Sequence, residues 1–132
     1  MKYLSKKHQI EFPAWVILPE HIHWLICPFG EDYSQIVFSF KRRVTSQIKN
    51  IYKIKGSIAL WQDRFWEHTI KDEKDMSHTM DYIHFNPVKH RYVDSPGKWK
   101  YSSYHEYLAK GFYADNLLME DDNFIFGMEY DI

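Results

Sequence analysis

The sequence predicts an α+β domain, on three observations. Two β-branched and aromatic runs flank Pro19-Glu20 near the N-terminus, as in a β-hairpin. After Tyr33 the apolar positions Ile36, Val37, Phe40, Val44, Ile48 and Ile51 recur at three- and four-residue intervals, the spacing of one helix face. A second helical stretch follows Asp72. At 132 residues the chain is long enough for one hydrophobic core without disulfide staples, and its single cysteine, Cys27, reads as a reduced, packed thiol.

Taken in order, residues 9–18 read as a first strand and residues 21–27 as its return arm, closed by Pro28-Phe29-Gly30. A long helix is expected from Tyr33 to about Tyr52, ended by Gly56-Ser57. Residues 58–70 suggest a loop entering a short strand. Asp72 is an N-cap, with Glu73 and Asp75 favourable in the first turn, for a helix whose buried stripe is Met76, Met80 and Ile83. Tyr82 lies well off that stripe, on a lateral face shared with His78 and Asn86, and is not a natural core position. Pro87 lacks an amide donor and disfavours helical geometry at Asn86, so a kink or a stop is expected there. A last helix is expected around residues 102–110, closed by Gly111.

Within this frame one constellation carries chemistry. Residues two apart on a strand point to the same face, so His21 and His23 can offer two imidazoles to one cation while Ile22 turns into the core. Residues four apart on a helix share a face, so Tyr82 can present its phenol beside the Asn86 amide oxygen, which can complete the coordination. Eight histidines make one His-x-His spacing an expected coincidence, so the pair takes its weight from its strand context and from Tyr82 and Asn86. The remaining histidines form no zinc pattern, and His78 and His84 read as surface histidines that could at most carry protons. A tyrosine set against a metal suggests attack on phosphate.

The net charge of -1 hides an asymmetry. From residue 115 to the C-terminus there are six acids and no base, which leaves all 17 basic residues and only 12 acids in residues 1–114. Residues 1–114 are therefore expected to form one domain and residues 115–132 an acidic tail. The segment 41–55 carries six bases and no acid, a candidate phosphate-binding surface or a basic solvated helix face. No stretch approaches the roughly 18 apolar residues of a membrane span, so a membrane partner is not expected; the single reduced cysteine fits a cytoplasmic location, nucleoid-associated if the basic surface binds DNA.

Four ordered motifs resemble the REP-associated tyrosine transposases of the single-tyrosine HUH superfamily. They are Ala14-Trp15-Val16-Ile17-Leu18-Pro19-Glu20-His21-Ile22-His23, Trp61-Gln62-Asp63-Arg64-Phe65-Trp66-Glu67-His68-Thr69-Ile70, Asp81-Tyr82-Ile83-His84-Phe85-Asn86-Pro87-Val88-Lys89-His90 and Trp99-Lys100-Tyr101-Ser102-Ser103-Tyr104. The resemblance implies a ferredoxin-like antiparallel sheet with helices on one face. It makes His21 and His23 metal ligands, Asn86 the third ligand and Tyr82 the nucleophile. The implied activity is cleavage and rejoining of single-stranded DNA beside a REP-like hairpin, through a 5′-phosphotyrosine link. Imidazole, amide-oxygen and water ligation suits Mn²⁺ or Mg²⁺, the histidines favouring Mn²⁺. Lys41, Arg42, Arg43, Lys49 and Arg64 are the candidate DNA contacts, with Trp61, Phe65 or Trp66 as base-stacking candidates beside a core role.

Relatives carry an opening strand and helix ahead of the His-x-His hairpin, and this chain begins about ten residues before it. The sequence therefore predicts bare inner strand edges, covered by partial pairing of residues 1–7 or, preferably, by a homodimer. Arg91 stands where relatives often have glycine. The alternatives to a strand transferase are a non-catalytic relative that binds structured single-stranded DNA and a small metal hydrolase without a covalent step.

Overall fold

The computed structural model describes residues 1–30, 32–63 and 65–113. In chain order the elements are α1 (Lys2–Lys7), β1 (Glu11–Ile17), β2 (Ile22–Cys27), α2 (Tyr33–Tyr52), α3 (Glu73–Lys89), a 3₁₀ turn (Pro96–Lys98) and α4 (Tyr104–Ala109). The architecture is α+β, as the sequence predicts. The hairpin closes through a two-residue loop, with the Leu18 amide donating to the His21 carbonyl at 2.9 Å. These residues pack as two compact units, one of residues 1–12 and 26–63, the other of residues 13–25 and 65–113.

In the first unit, residues 2–7 are helical rather than paired with a strand. Helical residues satisfy their amides locally, whereas a strand needs a partner edge. Here the His8 amide donates to the Leu4 carbonyl at 2.8 Å and the Leu4 side chain is buried. Lys7 Nζ donates to Ser39 Oγ at 3.1 Å, and the Arg43 guanidinium lies 4.4 Å from the Tyr3 ring centre. Helix α2 starts at the Asp32 side chain, which accepts from the Ser34 amide at 2.8 Å, and buries Ile36 and Val37.

Among the described residues of 58–70 the expected short strand is not found. Its aromatic start is held by α2 side chains instead of a ladder. Trp61 Nε1–H donates to Thr45 Oγ1 at 2.9 Å and Lys41 Nζ donates to the Gln62 carbonyl at 3.1 Å.

In the second unit, strand alternation places Ala14, Val16 and Leu18 on one buried face with Leu25 and Ile83. Ile70, Met76, Met80, Tyr82 and Trp99 pack against that cluster. Tyr82 is thus half-buried at the core margin, deeper than its angle from the stripe suggests. Residues 101–103 bond the outer edge of β1. The Ile17 amide donates to the Tyr101 carbonyl and the Ser103 amide to the Trp15 carbonyl, each at 2.9 Å. The chain's own later segment thus bonds the C-terminal end of β1, at residues 15–17.

Helix α3 begins as predicted, the Asp72 side chain accepting from the Asp75 amide at 2.8 Å. It does not stop at Asn86 but runs through Pro87 to Lys89. A proline this near the C-terminus removes one amide donor, and the ladder resumes at once with the His90 amide on the Asn86 carbonyl at 3.0 Å. Beyond the helix, the Arg91 amide donates to the Val88 carbonyl and the Tyr92 amide to the Pro87 carbonyl, the two bonds of a Schellman cap. Arg91 takes the left-handed position of that cap at φ 59°. Helix α4 ends in the same motif with Gly111 at φ 79°.

Candidate active site

The hairpin turn fixes His21 beside the start of β2, and His23 follows two residues on, on the same face. Their rings meet edge-on, with centres 4.9 Å apart at 84°. Across from them α3 brings Tyr82, whose ring centre lies 5.5 Å from that of His23 at 85°. One turn further along α3, Asn86 is 1% exposed. His90, just past the helix, places its ring centre 4.8 Å from that of His21. Lys89 reaches back along α3, its Nζ 3.4 Å from the Tyr82 hydroxyl and 4.9 Å from the ring centre. The two predicted histidines and the predicted tyrosine therefore converge, and Asn86 is buried on the helix that carries the tyrosine.

Buried polar atoms are nearly always hydrogen-bonded, and exceptions call for an explanation. Both Asn86 amide atoms and His21 Nε2 are buried without a hydrogen-bond partner, and His23 Nε2 is buried as well. That is the donor set a divalent cation needs: two imidazole nitrogens and an amide oxygen. Among the described residues no three His, Cys, Asp or Glu side chains group as metal ligands. A cation here would thus depend on the Asn86 oxygen, and the residues present fit one.

A second polar network lies on the same helix. His84 is fully buried between Tyr82 and Asn86 in sequence, not on the surface as expected. Its Nε2 is 2.8 Å from Ser103 Oγ and its Nδ1 2.9 Å from the Tyr113 hydroxyl. Tyr113 donates to Asp81 Oδ1 at 2.8 Å, so its oxygen is left to accept from His84 Nδ1–H. That assigns Nε2 as the acceptor of the Ser103 hydroxyl, while Ser103 Oγ accepts the Trp15 amide at 2.9 Å. Burial lowers the His84 pKa to about 4, and burial together with the Asp81 hydrogen bond pushes the Tyr113 phenol up. The network ties α3 to β1 and to the segment around α4.

The expected DNA contacts Lys41, Arg42, Arg43 and Lys49 lie on α2, and Trp61 packs beside it, its ring centre 5.7 Å from that of Phe40. Arg64 and the acidic tail lie outside the described residues. Of the other aromatic candidates, Phe65 is half-buried and Trp66 is 67% exposed. Sequence reasoning passed over Lys89 and His90, although their offsets of seven and eight from Tyr82 are two helical turns. It also passed over Ser103 and Tyr113, for which no local spacing gives a signal.

The family model for IS200-like transposases matches residues 1–86. The chain belongs to that family. A REP-associated tyrosine transposase of Escherichia coli K12 is 38% identical over 112 residues, covering 83% of this chain and 64% of that protein. A putative REP-associated tyrosine transposase of Haemophilus influenzae is 38% identical over 125 residues, covering 87% of this chain and 70% of the relative. Among solved structures, a REP-associated tyrosine transposase bound to a REP hairpin superposes with a TM-score of 0.68 at 35% identity, covering 86% of this chain and 66% of the other. The fold is therefore that of the REP-associated tyrosine transposases, the family the motifs resemble, and the chain spans a little under two thirds of the Escherichia coli relative's length. Among the described residues no helix is long and apolar enough to cross a membrane.

Proposed function

We propose that this chain is a metal-dependent tyrosine strand transferase that cuts and rejoins single-stranded DNA beside a REP-like hairpin. The observation that carries the reading is the edge-on meeting of the Tyr82 and His23 rings, 5.5 Å apart, beside the His21 ring, with the orphaned Asn86 amide buried one turn along the helix that carries Tyr82. The solved relative bound to a REP hairpin supports the substrate class.

In this reading His21, His23 and Asn86 would hold Mn²⁺ or Mg²⁺, which would supply positive charge to offset that of the phosphate. Tyr82 presents its hydroxyl from a half-buried ring wedged against the core, which limits the orientations the oxygen can take. The phenol oxygen forms a bond to phosphorus as the bond from phosphorus to the 3′ oxygen breaks. The phenolic proton leaves to solvent and the 3′ oxygen takes one up. The phosphodiester energy is kept in the phosphotyrosine link, so the reverse attack by a 3′-hydroxyl reseals DNA without a nucleotide cofactor. Lys41, Arg42, Arg43, Lys49 and Arg64 hold backbone phosphates, Trp61 is a base-stacking candidate, and two copies act as a homodimer.

The test uses labelled hairpin-bearing single-stranded DNA with Mn²⁺. A denaturant-resistant protein–DNA adduct should form and should vanish in Tyr82→Phe. Binding without an adduct would replace this reading by the non-catalytic one, and sedimentation of the same sample checks the dimer.

A further inference from the structure

We propose that Lys89 is a further catalytic residue, one that rests on the strand-transfer reading: its ammonium holds the Tyr82 oxygen and meets the charge of the phosphate that oxygen attacks. Tyr82, Asn86 and Lys89 stand at offsets of zero, four and seven on α3, so all three fall along one side of the helix. Helical side chains lean toward the N-terminus, which carries the lysine stem back over Asn86 toward the phenol. The ammonium reaches 3.4 Å from the hydroxyl oxygen while lying 4.9 Å from the ring centre. Because both residues sit on one helix, their spacing is set by α3 itself.

A base in the last turn of a helix is favoured by the macrodipole alone. That preference does not require the ammonium to lie against a phenol, and an ordinary surface lysine gains entropy by staying in solvent. A cation beside a tyrosine oxygen has a clear use when that oxygen attacks a phosphodiester. As the phenol loses its proton to solvent, the lysine N–H donates to the oxygen's lone pair left out of the new bond. The non-bridging phosphate oxygens, drawn to the same point, gain a second electrostatic partner. As the bond to the 3′ oxygen breaks, its electron pair stays on that oxygen, which is protonated from solvent. Lys89 keeps its protons throughout and acts only as donor and charge.

The test compares the full-length protein with Lys89→Met and Lys89→Arg, using labelled hairpin-bearing single-stranded DNA. Adduct formation is followed in a single turnover with Mn²⁺, DNA affinity without metal, and thermal unfolding on the same samples. A charged hydrogen bond made to the reacting atom is worth about tenfold or more in rate. Lys89→Met should therefore slow the adduct by about tenfold or more, with DNA affinity changed by less than about threefold and the unfolding temperature unchanged. Lys89→Arg, which keeps the charge, should recover most of the rate. Lys89→Gln takes the place of the methionine variant if that one does not fold.

An adduct rate in Lys89→Met within about twofold of the parent, or a rate loss matched by an equal loss of DNA affinity, overturns the assignment. No recovery in Lys89→Arg also counts against it. If the parent protein itself forms no adduct, the strand-transfer reading fails and takes this inference with it. A parent adduct with an unaffected methionine variant removes Lys89 alone.

Discussion

Ser103 holds the buried His84 ring from below α3, its hydroxyl 2.8 Å from Nε2, while the same oxygen accepts the Trp15 amide of β1. One side chain thereby fixes the helix that carries Tyr82 and Asn86 to the strand that leads into His21. Ser103→Ala removes the partner of the buried His84 nitrogen and of the part-buried Trp15 amide. Such a loss costs about 1–3 kcal/mol for each orphaned group. Chemical denaturation should show Ser103→Ala destabilised by at least the lower figure, and an unchanged midpoint would mean that the hydroxyl does not serve both groups.

The same histidine makes stability depend on pH. His84 faces the rings of Tyr104, Tyr107 and Tyr113, the Ser103 hydroxyl and, through Tyr113, the Asp81 carboxylate. Burial lowers its pKa from 6.5 to about 4, so between those values the unfolded chain binds a proton that the folded chain does not. Stability from this group is complete above pH 6.5 and is lost as pH falls toward 4. The full loss is on the order of 3 kcal/mol, at 1.36 kcal/mol per unit. Unfolding free energies measured from pH 7 to 4 should decline with this component, and His84→Gln should remove it. An equal decline in that variant would assign the effect to other groups.

Arg91 occupies a backbone position made for glycine. Its φ of 59° lies in the left-handed region, where a side chain costs about 1–2 kcal/mol. The Schellman bonds around it hold the end of α3 closed just beyond Lys89 and His90. Arg91→Gly removes the side-chain strain, and part of that gain is offset by glycine's greater freedom in the unfolded chain. Thermal unfolding should rise, by a free energy of up to about 1 kcal/mol. A fall would show that the arginine side chain makes contacts worth more than the strain.

How far these features can be read from sequence follows from how local their causes are. The His21 and His23 pair is set by strand period and a two-residue turn, and Tyr82 with Asn86 by helix period, so their faces are legible from spacing alone. The Asp72 cap is equally local. His84 is not, because its burial comes from Ser103 and Tyr113, which lie 19 and 29 residues away and follow no helical pattern. Residues 58–70 have strand composition, but a strand also needs a free edge, and Trp61 and Gln62 bond α2 side chains while His68 meets Asp75 of α3. Pro87 removes one amide donor and disfavours helical geometry at Asn86 without forbidding it, and the helix continues for two residues beyond the proline.

Asn86 offers the sharpest separation between a structural and a ligating role. Its amide nitrogen and oxygen are buried and unpartnered, at 1% exposure. A structural asparagine would lose hydrogen bonds on substitution and destabilise the protein. An amide kept for a cation instead leaves the metal-free protein with two desolvated groups that gain nothing in return, each costing about 1–3 kcal/mol. Asn86→Leu, which keeps the branched heavy-atom shape, should therefore leave metal-free stability unchanged or raise it. The same variant should lose the rise in unfolding temperature that Mn²⁺ gives the parent, since a ligand stabilises only what it binds. If Asn86→Leu is destabilised without metal and still responds to Mn²⁺ as the parent does, the amide belongs to the fold and the cation, if any, is held without it.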